Sequence, residues 1–165
     1  QKTVDDKIVY ILRRMAIYIE LEDKTDYTGS CFDELDAMLV NLKKEALRYM
    51  NNHLITEDDY YYEYMQMRAR QCVILKRIYA DIIRLTTTPE QGKALADFIR
   101  QTADEFAEQN NVETLLSELE RLHRYYEQQR LPVTRQEFEN RSMLYHILED
   151  MKAFLDIKKD FITAR

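Results

Sequence analysis

Four residues in the first half of the chain are of types that could hold a small ligand. Arg68 and Gln71 fall in the apolar stripe of a predicted helix that also carries Tyr61 and Tyr64. An arginine can bind a carboxylate through two parallel hydrogen bonds, and tyrosine rings can stack on an aromatic ring. These residues therefore suit a small aromatic carboxylate. The alternative is that the tyrosines pack at the start of the helix and bind nothing.

The steps from Tyr64 to Arg68 and Gln71 are four and three residues, which places both polar side chains at the interior or its boundary. A buried guanidinium needs a partner, because an unpaired buried charge is very costly. The expected partners are carboxylates of the last helix, and the alternative is that Arg68 extends to the surface and buries only its stem. The candidates are Glu137, Glu139 and Asp150.

Metal chemistry is the second possibility raised by residue types. Di-metal sites in helical bundles use two Glu-x-x-His pairs and two further glutamates. Glu120 and His123 form one such pair and no second pair is present, so we interpret them as a surface pair and predict no bound metal. His53 and His146 have no ligands at metal-binding spacing and are interpreted as boundary residues.

Catalysis and cofactor binding find little support in the sequence. No nucleophile with a base stands out, and two glycines cannot build a phosphate-binding loop. The net charge of −6, without a basic block, argues against nucleic acid as a partner. We therefore predict neither an enzyme nor a cofactor. Cys31 and Cys72 are isolated and are expected to be free thiols in a reducing compartment.

Composition predicts an all-α domain. The 165 residues suffice for one domain with its own core, and two glycines and two prolines are too few for a sheet-rich fold. A single soluble domain over residues 1–165 is expected, folded as an elongated antiparallel bundle of about six helices with the third and sixth as its spine. The first, second, third and sixth predicted helices run over about 4–22, 31–53, 56–85 and 135–161. The fourth begins at Thr88–Pro89, and the fifth follows it with an inner face of Leu115, Leu116, Leu119, Leu122 and Tyr126.

The beginnings of these helices carry recognisable caps. Asp5 and Asp6 suit the positive end of the first helix dipole, and the predicted caps of the third and fourth helices are Thr56 and Thr88–Pro89. Asn110–Asn111 is expected to end the fourth helix. In the second helix a narrow apolar seam is predicted to run from Phe32 as far as Tyr49.

The segment 131–141, Leu-Pro-Val-Thr-Arg-Gln-Glu-Phe-Glu-Asn-Arg, is the most sharply specified start of all. Thr134 and Glu137 form a capping box, in which each side chain accepts from the backbone N–H of the other residue. Val133 and Phe138 are placed to form a hydrophobic staple across the cap. We interpret the segment as a structural motif that comprises Thr134, Arg135, Glu137, Phe138, Glu139, Asn140 and Arg141.

Three segments together resemble the C-terminal domain of the bacterial putative aromatic acid exporter family. The segment 131–141 is similar to that family's LPxTRxEFENRA element, with Ser142 in place of the usual alanine. The other two segments contribute short sets of matching residues in the same order. These sets are Asn51, Tyr61, Tyr64, Met67, Arg68, Gln71 and Leu75, and then Leu144, Ile147, Leu148, Asp150, Phe154, Leu155 and Lys158.

The resemblance implies the C-terminal half of a membrane protein, on the cytoplasmic face of the cell membrane, with a transmembrane half upstream of Gln1. Its implied role is to assemble or regulate that transmembrane half without catalysis. The transmembrane half is then the expected partner. A second copy of the chain and a small aromatic acid remain open as further partners, and a ligand-sensing module that binds an aromatic carboxylate is the alternative function.

Overall fold

Six helices make up most of the residues described by the computed structural model, which are 2–52, 59–86, 90–106 and 112–164. No strand occurs in those four ranges. The prediction of an all-α bundle of six helices is confirmed. The helices are α1 (Lys2–Glu20), α2 (Ser30–Asn52), α3 (Asp59–Ile82), α4 (Glu90–Asp104), α5 (Val112–Glu127) and α6 (Arg135–Thr163).

Several predictions at the helix junctions lie outside the described residues. These are the caps at Thr56 and Thr88–Pro89, the break at Asn110–Asn111, and the boundary position of His53.

The helices pack mainly as antiparallel neighbours. α1 lies on α4, α2 lies on α3, and α6 contacts both α3 and α5. Ion pairs show the antiparallel direction of α1 and α4, because Arg13 near the middle of α1 pairs with Asp104 at the end of α4. Further along, Glu20 at the end of α1 bonds Arg100 one turn earlier in α4.

The core is built from the apolar stripes that the sequence predicts. The stripe of α1, which includes Ile8, Leu12 and Met15, is fully buried. The seam of α2 is buried at Phe32 and Leu35, but Tyr49 is 49% exposed. The prediction that the buried seam continues to Tyr49 is therefore wrong, and the last buried residue of α2 is Ala46.

α3 and α6 form the spine, as their 24 and 29 residues allow. At 1.5 Å per residue, α6 is about 44 Å long. Polar contacts follow this pair in antiparallel order. The amide of Gln71 donates to the carbonyl oxygen of Phe154 at 2.9 Å. Closer to the end of α3, Arg77 bonds Asp150 at 2.7 Å.

The start of α6 is capped by Thr134, as predicted, since its hydroxyl accepts from the backbone N–H of Glu137 at 3.0 Å. The second half of the predicted box differs. The Glu137 carboxylate accepts from the N–H of Val133 at 3.1 Å, one residue before the predicted donor. Val133 and Phe138 remain 76% and 60% exposed, so the staple does not bury them in the core.

Replacing Thr134 by alanine removes the acceptor for the Glu137 N–H. We expect the free energy of unfolding to fall by about 0.5–2 kcal/mol, the usual cost of losing a threonine cap. Urea denaturation of the wild type, Thr134→Ala and Thr134→Ser measures it. The serine variant keeps the hydroxyl and should lie close to the wild type. An alanine variant with an unchanged midpoint would mean that the cap contributes nothing.

Candidate functional site

The side chain of Arg68 lies at the centre of a buried polar cluster. Its exposed fraction is 3%, so the expectation that it is buried is confirmed and the alternative of a surface arginine is wrong. Nε donates to Oδ1 of Asp5 and to the hydroxyl of Tyr64, both at 3.0 Å. Nη1 donates to Oε1 of Gln71 at 2.6 Å. The Tyr64 hydroxyl also donates to Asp5.

The predicted partners of Arg68 were wrong, since its carboxylate comes from α1. Glu139 bonds Arg135 and Asp150 bonds Arg77 instead, while Glu137 belongs to the cap of α6. One signal in the sequence could have pointed to Asp5. It stands three residues before Ile8, which continues the buried stripe of α1 toward its start.

Two aromatic rings lie close to the guanidinium of Arg68. Its carbon lies 4.9 Å from the centroid of the Tyr64 ring and 4.4 Å from that of Phe106. Each ring offers the negative face of its quadrupole to the cation. The cluster therefore joins α1, α3 and the end of α4. Gln71 extends it to α6 through the carbonyl of Phe154.

A second cation, Lys158 of α6, borders this cluster. Its Nζ donates to the carbonyl oxygen of Phe106 at 3.3 Å and lies 5.3 Å from the centroid of that ring. The pKa of Lys158 is lowered to about 8, mainly by burial and also by the positive charge of Arg68. Asp5 acts in the opposite direction. Burial also raises the pKa of the Tyr64 hydroxyl, which stays protonated.

The residues proposed from the sequence to bind a ligand are only partly brought together. Tyr64, Arg68 and Gln71 meet in the cluster, where Nε and Nη1 of the arginine are engaged by protein atoms. Tyr61 lies apart and lines an open groove with Glu45, Ala46 and Tyr49. Binding of an aromatic carboxylate by these four residues stays a prediction.

Asn140 of the 131–141 segment has a role that its sequence position does not reveal. It is 2% exposed. Its side chain contacts Thr86, which follows the last residue of α3 by four positions. Its Oδ1 accepts from the Thr86 N–H at 3.0 Å, and its Nδ2 donates to the Thr86 hydroxyl at 3.1 Å. Gln136 adds a hydrogen bond of 2.9 Å to the same hydroxyl. The start of α6 is thereby fixed to the end of α3.

The charged residues of the segment make local contacts. Arg135 and Glu139 pair one turn apart at 3.0 Å with both side chains exposed. Arg141 is only 16% exposed and donates from Nη1 to the carbonyl oxygen of Arg130. It also lies 3.7 Å from Glu137. Arg141 therefore holds the connection before α6 against the helix.

Three apolar side chains of the segment are left in solvent. Leu131, Val133 and Phe138 are 81%, 76% and 60% exposed, and we call them the apolar face. A groove of about 180 Å³ lies beside it. Its lining is mixed aromatic and polar, and consists of Gln91, Tyr126, Pro132, Phe138, Arg141, Ser142, Leu144 and Tyr145.

The predicted surface pair Glu120 and His123 makes separate contacts. Glu120 lies 3.8 Å from Arg124. His123 is 3.2 Å from Glu127 and 2.9 Å from the Tyr145 hydroxyl. Within the described ranges, neither belongs to a group of three side chains that could share a metal. Absence of metal at this pair stays a prediction.

His146 differs from its interpretation as a boundary residue without ligand partners. Its Nδ1 lies 2.6 Å from Oδ2 of Asp81, and Asp150 is one helical turn away. The hydrogen bond to Asp81 raises the pKa of His146. The sequence hides this grouping because Asp81 is on α3, although the i, i+4 spacing of His146 and Asp150 was visible.

These features define a helical bundle domain whose central polar cluster is satisfied by the protein itself. None of the helices in the described part of the chain is both long and apolar enough to cross a bilayer. Residues 1–159 match the family described as the putative aromatic acid exporter C-terminal domain. The chain therefore belongs to that family, and the resemblance seen in its motifs is confirmed.

Two relatives illustrate the range of the family. The uncharacterized protein YqjA of Bacillus subtilis (strain 168) is 29% identical over 161 residues, which are 98% of this chain and 50% of YqjA. The chain thus spans about half the length of the curated relative that it matches. The crystal structure of a putative membrane protein from Clostridium difficile 630 is similar with a TM-score of 0.88 and 29% identity. That similarity covers 99% of this chain and 96% of the other.

Breaking the Asp5–Arg68 pair should be costly because it leaves a buried cation without its anion. We expect Asp5→Ala to lower the free energy of unfolding by about 3–5 kcal/mol. The matched control is Asp6→Ala, the exposed neighbour in the same first turn. In a double-mutant cycle, Arg68→Met should cost far less in the Asp5→Ala background than in the wild type. Additive costs would show that the two residues are not coupled.

Lys158 gives the stability a defined pH dependence. Its folded pKa of about 8 lies below the ordinary lysine value of 10.5, so the charged side chain opposes folding most strongly below pH 8. This penalty disappears as the pH rises from 8 toward 10.5. Between pH 7 and 9.5 the wild type should gain about 1–2 kcal/mol relative to Lys158→Met. Lys152→Met, an exposed control on α6, should show no such gain. If the difference in unfolding free energy between the wild type and Lys158→Met stayed constant over this pH range, the lowered pKa of Lys158 would be contradicted.

Proposed function

We propose that this domain is a non-catalytic, cytoplasmic part of an aromatic acid exporter that assembles or regulates the transmembrane half of the same protein. Family membership over residues 1–159 supports the link to an exporter. The relative YqjA is about twice as long as the matched region, which leaves room for a further part. Cys31 and Cys72 are unpaired thiols, which suits a reducing compartment.

The observation that carries the proposal is the apolar face. Exposed apolar side chains that lie close together commonly mark a binding surface. Those of the apolar face are strongly exposed and stand within eight residues of one another in the chain. Here their backbone is held in place from two sides, by the Thr134 cap and by the contact of Arg141 with Arg130. A rigid surface loses little conformational entropy when a partner binds. We therefore propose that the apolar face contacts the transmembrane half.

The central cluster supports a structural role over a catalytic one. Arg68 lies close to two rings and is satisfied by Asp5 and Gln71. A group that acts on a substrate needs free donors or acceptors within reach of it. The cluster instead uses its polar atoms to join helices.

Ligand sensing is the second candidate, and the groove beside the apolar face favours it. Arg141 lines this groove together with Tyr126, Phe138 and Tyr145. A guanidinium next to aromatic rings is the combination that recognises an aromatic carboxylate. Under this alternative the carboxylate binds at Arg141, and Arg68 has no part in it.

The assembly proposal is tested in the full-length protein by the triple variant Leu131→Ser, Val133→Ser, Phe138→Ser. These side chains are already in solvent, so the domain's own denaturation midpoint should change little. Efflux of a panel of aromatic carboxylates from loaded cells should fall by at least ~10-fold, because three apolar contacts are lost at the interface. Val73→Ser, at an apolar residue of α3 that is 56% exposed, serves as the control.

Wild-type efflux by the triple variant would overturn the assembly proposal. Titration of the purified domain with benzoate and 4-hydroxybenzoate tests the second candidate function, ligand sensing, independently of assembly. Binding that is lost in Arg141→Gln and kept in Arg68→Met would establish ligand sensing at the groove. Absence of binding at millimolar concentrations would exclude it.

A further inference from the structure

Three side chains that could ligate a metal converge where α3 and α6 pack together. Asp81 lies in the last turn of α3, and His146 and Asp150 are one turn apart on α6. One ligand atom from each residue lies within 4.8 Å of those of the other two. Exposed acidic groups approach each other on many protein surfaces, so this convergence alone does not define a site.

The burial of the two carboxylates sets this group apart. The side chains of Asp81 and Asp150 are 14% and 6% exposed, while that of His146 is 61% exposed. Two carboxylates therefore lie largely below the surface, beside an imidazole that is mostly in solvent.

Asp150 also has an unsatisfied atom. Its Oδ1 accepts from Nη2 of Arg77 at 2.7 Å. Its Oδ2 is buried and has no hydrogen-bond partner in the part of the chain that the structure describes. Buried carboxylate oxygens are normally hydrogen-bonded, because an unsatisfied one retains the full cost of desolvation. The two ion pairs between the helices leave this oxygen unexplained.

The positive side chains beside the group are Arg77, which is 53% exposed, and His146, whose pKa is raised by its hydrogen bond to Asp81. Neither donates a hydrogen bond to Oδ2 of Asp150. A divalent cation bound to Oδ2 of Asp150 would give this oxygen a partner. The hydrogen bond from Arg77 to Oδ1 would then orient the ligating carboxylate, as outer-shell partners do in metal sites.

We propose that Asp81, His146 and Asp150 form a binding site for a divalent transition-metal ion of the zinc type. Imidazole nitrogen selects such ions over Mg²⁺ and Ca²⁺, which prefer oxygen ligands alone. On binding, Nδ1 of His146 loses its proton to solvent. The hydrogen bond between Nδ1 and the Asp81 carboxylate is then replaced by a bond from each of them to the metal. Three protein ligands leave the fourth position to water.

The geometry requires only small side-chain movements. Zinc lies about 2.0–2.2 Å from nitrogen and oxygen ligands, so tetrahedral ligand atoms are roughly 3.4 Å apart. The present separation of Nδ1 and Oδ2 is 2.6 Å, and all three ligand atoms lie within 4.8 Å. Shifts of about 1 Å reach the required arrangement, and the exposed imidazole is free to make the largest of them.

Bound metal would cross-link the spine of the bundle. The site lies on the α3–α6 pair between the Gln71–Phe154 contact and the Thr86–Asn140 contact. An ion that binds the folded state and not the unfolded state stabilises it, by an amount that grows with the logarithm of the ion concentration above the Kd. How firmly α6 is held against α3 would therefore depend on the metal concentration.

The test is titration of the EDTA-treated protein with ZnCl₂, followed by calorimetry and thermal denaturation. One Zn²⁺ per chain and a rise in Tm are expected, and MgCl₂ at the same concentration should produce neither. His146→Ala should weaken zinc binding by at least ~10-fold while the protein stays folded, because this side chain is mostly exposed. Asp150→Asn should do the same.

His123→Ala is the matched control, since His123 also lies beside two carboxylates, Glu127 and Glu149, on the surface. It should leave zinc binding unchanged. Arg77→Gln keeps all three ligands and removes the outer partner, so a loss of about 10–100-fold is expected. Absence of stoichiometric zinc in the wild type would overturn the proposal. So would zinc binding that survives in His146→Ala and is lost in His123→Ala.

Discussion

The bundle depends on the pairing of one buried arginine with a carboxylate from a helix far away in sequence. Arg68 reaches Asp5 across 63 residues of chain, and the same cluster includes Phe106 from the end of α4 and Gln71, which bonds α6. Three helices and the segment that follows α4 therefore meet at one charge. A buried charge tolerates few arrangements of its neighbours, whereas apolar contacts can slide with little loss. The cluster fixes which helices meet and in what register.

The contacts between α3 and α6 extend this constraint along the spine. From one end to the other they involve Gln71 with Phe154, Arg77 with Asp150, and Thr86 with Asn140. Each contact is polar and directional, and the contact of Gln71 with Phe154 is fully buried. The apolar stripes supply the driving force for packing, and the polar contacts select one alignment among those that bury similar area.

The sequence predicted what depends on local spacing and missed what depends on contacts between distant helices. The burial of Arg68 and Gln71 followed from steps of four and three, and the Thr134 cap followed from its distance to Glu137. The partner of Arg68 did not follow, since Asp5 was interpreted only through the dipole of its own helix.

The candidate sites divide in the same way. Asn140 could be assigned to a motif, but its contact with Thr86 requires knowing that α3 ends beside α6. Likewise, the grouping of His146 with Asp81 exists only across two packed helices. Spacing along one helix specifies a face, and the identity of the facing residue comes from the fold.

The contact of Asn140 with Thr86 has a mechanical consequence. Polar contacts hold α6 against the second half of α3 and the residues after it, from Gln71 to Thr86. Translation of one helix along the other by one residue, 1.5 Å, would misalign these contacts together. Over this length the two helices should move as one body, so that a displacement applied near Leu131 is carried along α6 toward Lys158 beside the arginine cluster.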